Sequence, residues 1–138
     1  MENLEQLSNI LVEFYEKFSN WEHAIVEGSG FSLSQMHAIE ILGNYGPLKM
    51  KALAEKIGIT TGTLTIAIDK LEKLGVVIRR DNPEDRRSYV IELTDAGREI
   101  QQEHSRYHLN MTQECTVSFS ETDKEQFFIL IKNFLQNL

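Results

Sequence analysis

Residues 71–95 read Leu71-Glu72-Lys73-Leu74-Gly75-Val76-Val77-Ile78-Arg79-Arg80-Asp81-Asn82-Pro83-Glu84-Asp85-Arg86-Arg87-Ser88-Tyr89-Val90-Ile91-Glu92-Leu93-Thr94-Asp95, and their hydrophobic period changes twice. Leu71 ends the series Leu64, Ile68, Leu71, whose i, i+4, i+7 spacing marks one face of a helix over Thr61–Leu74. Val76, Val77 and Ile78 then form a short β-branched run, and Tyr89, Ile91 and Leu93 alternate with Ser88, Val90 and Glu92 as a strand does. Between the two runs lies Asp81-Asn82-Pro83-Glu84-Asp85, a turn-forming cluster, so the stretch predicts a β-hairpin. Thr94 supplies an N-cap and Asp95 an acid for a long helix over roughly 95–116, where the period returns to that of a helix.

Upstream of the hairpin, a helix over Met50–Ile57 and the helix over Thr61–Leu74 are separated by Gly58-Ile59-Thr60. Helix, tight turn with glycine, helix and hairpin is the order of a helix-turn-helix with a wing. Leu53, Ala54 and Ile57 pack the first helix, and Leu64, Ile68 and Leu71 bury one face of the second. Thr60 is the expected N-cap, and Thr61, Gly62, Thr63, Thr65 and Ile66 are left for a groove. Small hydroxyl side chains there reach phosphates or base edges, and a helix N-terminus itself favours a phosphate, although a threonine-rich start is also plain capping chemistry. Arg79, Arg80, Arg86 and Arg87 lie along the hairpin and suit phosphates or a narrow minor groove. Asp85 is placed to hold an arginine by ion pairing.

Further out, Leu4, Leu7, Leu11, Phe14, Phe18 and Ile25 keep helical spacing up to Gly28-Ser29-Gly30. Ser32 caps a second helix carrying Met36, Ile39 and Leu42, which ends in Gly43 to Pro47. Ser120 caps a last helix with the stripe Phe127, Leu130, Ile131, Phe134, Leu135, Leu138. The expected fold is mainly α with a small β-hairpin wing: a winged helix-turn-helix at about 31–97 within a single domain over 1–138. A helical dimerisation body is expected from about 1–30 and 98–138. The aromatic stripes near each end must be buried somewhere, within the chain or against a second copy. Reading a palindrome with two recognition helices about 34 Å apart favours the second copy.

The net charge of −7 is unevenly spread. Residues 49–98 hold ten basic and eight acidic side chains, a balance of +2, which leaves four basic and thirteen acidic elsewhere, or −9. A mildly basic centre between acidic ends suits a nucleic-acid site in the middle. No apolar run approaches the ~20 residues of a membrane span. The N-terminus has no basic signal region, and one cysteine, Cys115, forms no intrachain disulfide, so a cytoplasmic location is expected. Nothing supplies a nucleophile–base pair or a phosphate loop, and Ser105 stands where a HExxH motif needs glutamate, so no enzyme is expected. A winged helix that binds only protein remains an alternative, against which the four wing arginines argue.

Leu53-Ala54-Glu55-Lys56, Leu71-Glu72-Lys73-Leu74-Gly75-Val76-Val77, Arg80, Asp85-Arg86-Arg87 and Leu93-Thr94-Asp95-Ala96-Gly97 together resemble the signature of the MarR family of transcription regulators. The resemblance implies a homodimer on double-stranded DNA, probing a pseudopalindromic operator and acting as a repressor under effector control. It implies that Asp85 and Arg87 are the wing's Asp-x-Arg, with the arginine in the minor groove. Lys49, Lys51, Lys70, Arg80 and Arg86 complete the expected DNA-contacting set, with Thr60, Thr61, Gly62, Thr63, Thr65 and Ile66.

Of four histidines, His104 and His108 stand at i, i+4, a spacing that lets two imidazoles meet one metal ion. Ordinary surface histidines also occur at this spacing. A zinc-sensing branch of the family uses such a pair with a histidine of the second helix and a carboxylate late in the first. By that resemblance His37, His104 and His108 are candidate ligands of zinc or another transition metal. Glu22 is the carboxylate, with His23 or Glu27 as substitutes. The branch's other site is not matched: Met36 stands where a glutamate is expected, Cys115 lies elsewhere, and only Glu103 agrees. The rival effector is a small phenolic compound lined by Tyr15, Trp21, Met36 and Tyr107. No cofactor is required, and Cys115 is expected to be a buried thiol.

Overall fold

The computed structural model describes residues 2–138, which form two compact units, Met1–Glu103 and His104–Leu138. The first holds α1 (Glu2–Glu27), α2 (Leu33–Tyr45), α3 (Met50–Ile57), α4 (Thr61–Lys73), β1 (Val77–Asn82), β2 (Asp85–Leu93) and the start of α5 (Asp95–Cys115). The second holds the rest of α5 and α6 (Glu121–Asn137). No helix among the described residues is long and apolar enough to cross a membrane.

The core of the first unit gathers the faces that the sequence periods select: Met36, Ile39 and Leu42 of α2, Leu53 and Ala54 of α3, Leu64, Ile68 and Leu71 of α4, and Val77, Ile91 and Leu93 of the hairpin. Fully buried aliphatic side chains of this size each contribute about 1.5–3 kcal/mol, so this cluster holds the helix-turn-helix to its wing. Ser32 and Gln35 form a reciprocal capping box: the Gln35 N–H donates to Ser32 Oγ, and the Ser32 N–H donates to Gln35 Oε1. Gly58 ends α3 at φ 83°, ψ 31°, a left-handed conformation that lets the chain turn directly into α4.

The hairpin is longer than the apolar runs alone predict. Its antiparallel ladder runs from Val77↔Leu93 to Asn82↔Asp85, so the expected turn residues Asp81 and Asn82 belong to β1, and Pro83-Glu84 make the turn. Asn82 explains the extension. It is buried, its Nδ2 donates to Ser88 Oγ at 3.1 Å, and its Oδ1 accepts the Glu84 N–H at 3.1 Å, so both ends of the amide are satisfied inside the turn. Leu48 adds an isolated antiparallel bridge to β2: its N–H donates to Ile91 O (3.1 Å) and its carbonyl accepts the Ile91 N–H (2.7 Å), tying the α2–α3 connection to the wing.

Thr94 joins wing to α5. Its hydroxyl lies 2.6 Å from Gly75 O and 3.1 Å from Val76 O, and it accepts the Gly97 N–H at 3.1 Å, capping the helix. A Cβ on Gly97 would fall 2.2 Å from Val76 O, so only glycine lets α5 start against this backbone.

In the second unit, α6 opens with another capping box, Ser120 with Asp123. The hydrogen bonds from the Ser120 side chain and backbone hold the Asp123 carboxyl below its ordinary range. No residue of α6 is buried, and Phe128, Leu130 and Leu135 are each more than 60% exposed, so much of its apolar surface faces outward.

Candidate nucleic-acid interface

The first unit presents α4 and the wing as its charged and hydroxyl-bearing surface. α4 buries Leu64, Ala67, Ile68 and Leu71, which at about 3.6 residues per turn places Gly62, Ile66, Asp69 and Lys73 along the opposite side. Thr60 is the N-cap as expected: its Oγ1 accepts the Thr63 N–H at 3.2 Å and donates to Thr63 Oγ1 at 3.0 Å. Thr65 donates its hydroxyl to Thr61 O at 2.7 Å. Three of the four threonines are thus engaged within the helix start itself, whereas the Thr61 side chain makes no such bond among the described residues. Ile66 is 63% exposed, and Lys49, Lys51 and Lys70 are exposed.

The four hairpin arginines separate into two pairs. Arg79 donates from Nη2 to Asp69 Oδ1 at 2.6 Å and from Nη1 to Glu72 Oε1 at 2.7 Å, and lies over the Tyr89 ring with its Cζ 5.7 Å from the centroid. The hydrogen bond to Asp69 does most to raise its pKa, partial burial opposes it, and the charges of Glu72 and Asp69 add to it. Arg80 Nε stands 2.8 Å from Glu92 Oε2, an ion pair whose geometry falls short of a hydrogen bond. Arg86 and Arg87 are exposed and, among the described residues, neither guanidinium has an ion-pair partner. The sequence reading gave all four arginines a chemistry suited to DNA but placed only Arg80, Arg86 and Arg87 in the DNA-contacting set, and the structure gives Arg79 a bracing role. Its guanidinium braces β1 against α4, because Asp69 and Glu72 project from the helix toward the strand that follows. Asp85 also differs from expectation: its Oδ1 accepts the Arg87 backbone N–H at 3.0 Å rather than pairing with a guanidinium, because both residues lie at the turn where β2 begins.

In the second unit, His104 is buried, and its Nε2 lies 3.1 Å from Nε2 of His108 one turn along α5, with the rings edge-to-face at 64°. In the first unit, Glu22 is buried on α1 and Glu40 half-buried on α2. His37 is half-buried on α2, His23 is exposed and contacts Ser19 O at 2.8 Å within α1, and Glu27 is exposed at the end of α1. Of the residues proposed to line a phenolic site, Met36 is part of the core at 2% exposure, and Tyr15 and Tyr107 are exposed. Cys115, expected to be buried, is exposed, with its Sγ 3.8 Å from Met111 Sδ one turn back on α5.

Two helices joined by a tight turn, a recognition helix with one face free and a two-stranded wing of exposed arginines define a winged helix-turn-helix. Comparison with known proteins places it more narrowly. The model of the MarR family matches residues 31–89. The chain is similar to the uncharacterized HTH-type transcriptional regulator YwoH of Bacillus subtilis, with 31% identity over 111 residues, 80% of each chain. It is also similar to the uncharacterized HTH-type regulator YkoM of Bacillus subtilis, with 28% identity over 134 residues, 95% of this chain and 87% of that one. Among solved structures, that of Streptococcus pneumoniae FabT in complex with DNA superposes with a TM-score of 0.82 at 24% identity, covering 96% of this chain and 95% of FabT. The chain belongs to the MarR family. That membership makes it a DNA-binding regulator of transcription, and its relatives are regulators rather than enzymes.

Proposed function

We propose that the chain represses transcription as a homodimer on a pseudopalindromic operator, with α4 of each subunit in a major groove and each wing at a flanking minor groove. The observation that carries this reading is the exposure of Arg86 and Arg87 without an acidic partner among the described residues, beside an α4 whose outer side carries the exposed Ile66. Unpaired guanidinium groups offer phosphates an uncompensated charge and open donors, while those bound to carboxylates have both already engaged. The dimer is supported by the exposed apolar side chains of α6, and by Leu4, Leu7, Ile10 and Phe14 of α1, each at least half exposed. Solvent-facing apolar stripes of this extent mark interaction surfaces.

We further propose that His104 and His108 hold a divalent transition metal, zinc foremost, that sets the DNA affinity. The histidine pair fits this chemistry. Two nitrogens about 2.0–2.1 Å from a tetrahedral zinc stand about 3.3 Å apart, and the pair stands at 3.1 Å. Fluorescence anisotropy of a labelled duplex from the region upstream of the coding sequence, with zinc and then with chelator, tests both parts. The reading expects tight binding that changes at least fivefold with zinc, and a response lost in His104→Ala and in His108→Ala. Tight binding indifferent to zinc and chelator removes the metal and leaves an organic effector. No binding to any duplex, with or without zinc, removes the operator reading itself.

A further inference from the structure

Resting on the operator reading above, we infer that α4 reads thymine methyl groups, with Ile66 as the residue that touches them. A hydroxyl-rich recognition helix invites a hydrogen-bonding code, but two of its four hydroxyl donors are used within the helix start. Thr60 donates to Thr63 Oγ1, and Thr65 donates to Thr61 O. Thr65 keeps its methyl group and its acceptor lone pairs. Asp69, the acid on the outer side of α4, is held back by Arg79 at 2.6 Å and is not free to accept from cytosine.

At the centre of the outer side stands Ile66, a β-branched side chain 63% exposed. Solvent exposure of a large apolar side chain has no benefit for folding, whereas the major groove of every A·T pair offers an apolar partner in the thymine C5-methyl group. Gly62, one turn before Ile66 on the same line, gives this contact room. Its backbone does not need glycine, since it has no positive φ. Packing does not need it either: the nearest atom to a Cβ added there is Thr60 Oγ1 at 4.0 Å. A helical glycine that neither conformation nor internal packing requires leaves the close approach of a partner as its use. The open position at Gly62 and the projecting Ile66 together form a step against which the rim of a groove can seat.

Selection of duplexes from a random library by the full-length protein, followed by resynthesis of the selected site with deoxyuridine at each thymine in turn, tests the inference. The exchange removes one methyl group and leaves every hydrogen-bonding atom in place. At one or two thymines per half-site, affinity should fall about fourfold per methyl, the scale of one buried methylene. Ile66→Ala, which folds normally because the side chain is exposed, should bind the thymine and uracil duplexes equally at those positions, and Ile66→Val should keep part of the difference. A selected site whose affinity is unchanged by uracil at every thymine overturns the inference while the operator reading stands. A uracil effect of the same size in Ile66→Ala also overturns it, because the methyl is then read by another residue. Selection of no sequence at all would instead count against the operator reading.

Discussion

Arg79 and Arg87 lie on the two strands of one hairpin, yet their surroundings assign them different work. Arg79 is bound by two acids of α4, so its loss should loosen the wing. Arg79→Ala should cost up to about 1 kcal/mol in urea unfolding, since the acids are half exposed and such pairs are only moderately strong. It should leave the salt dependence of DNA binding near that of the wild type. Gly97→Ala should cost more, about 1–3 kcal/mol, because the new Cβ meets a backbone carbonyl that cannot turn aside. A urea midpoint equal to wild type would refute the close approach of α5 to Val76. At this scale the sequence was only partly legible. The Thr60 cap and the exposed Arg86 and Arg87 follow from local pattern. The division of the arginines does not, because Asp69 reaches Arg79 across a tertiary contact that no spacing encodes. The exposure of Cys115 was equally hidden: a cysteine late in a helix carries no local sign of what covers it.

Elements were easier to read than residues, because a helix or a strand states its period in its own residues. The switch from helical spacing in Leu64, Ile68 and Leu71 to alternation in Tyr89, Ile91 and Leu93 located α4 and the wing. What the period could not reveal was the pairing of Leu48 with Ile91, or the extra rungs secured by the buried Asn82 amide. Both depend on long-range or side-chain hydrogen bonds in stretches that read as turns. The recognition helix supplies the prediction proper to this scale. Gly62→Ala should stabilise the protein by several tenths to about 1 kcal/mol, because alanine is the better helix former and open space receives its methyl. The same substitution should weaken operator binding several-fold. Thermal denaturation and anisotropy on one preparation check both signs, and a variant both more stable and equally tight would show that nothing approaches α4 at Gly62.

For the whole molecule, the acidic, apolar ends and the more basic centre correspond to different tasks. The apolar side chains of α6 are largely exposed, so Phe134→Asp should turn a dimer into a monomer in sedimentation velocity and lower operator affinity at least tenfold, since one recognition helix alone loses half the contacts. A Phe134→Asp protein that still sediments as the wild type would place the dimer contact elsewhere. His104 and His108 announce themselves by their spacing on one helix. The account depends most on the claim that the free wing arginines meet DNA phosphates. The direct measurement is anisotropy of the upstream duplex across a salt series, with wild-type protein and Arg87→Ala. The account predicts that log K falls linearly with log salt and that the slope shrinks by about one per subunit in the variant. An Arg87→Ala protein with wild-type affinity and an unchanged slope would contradict it.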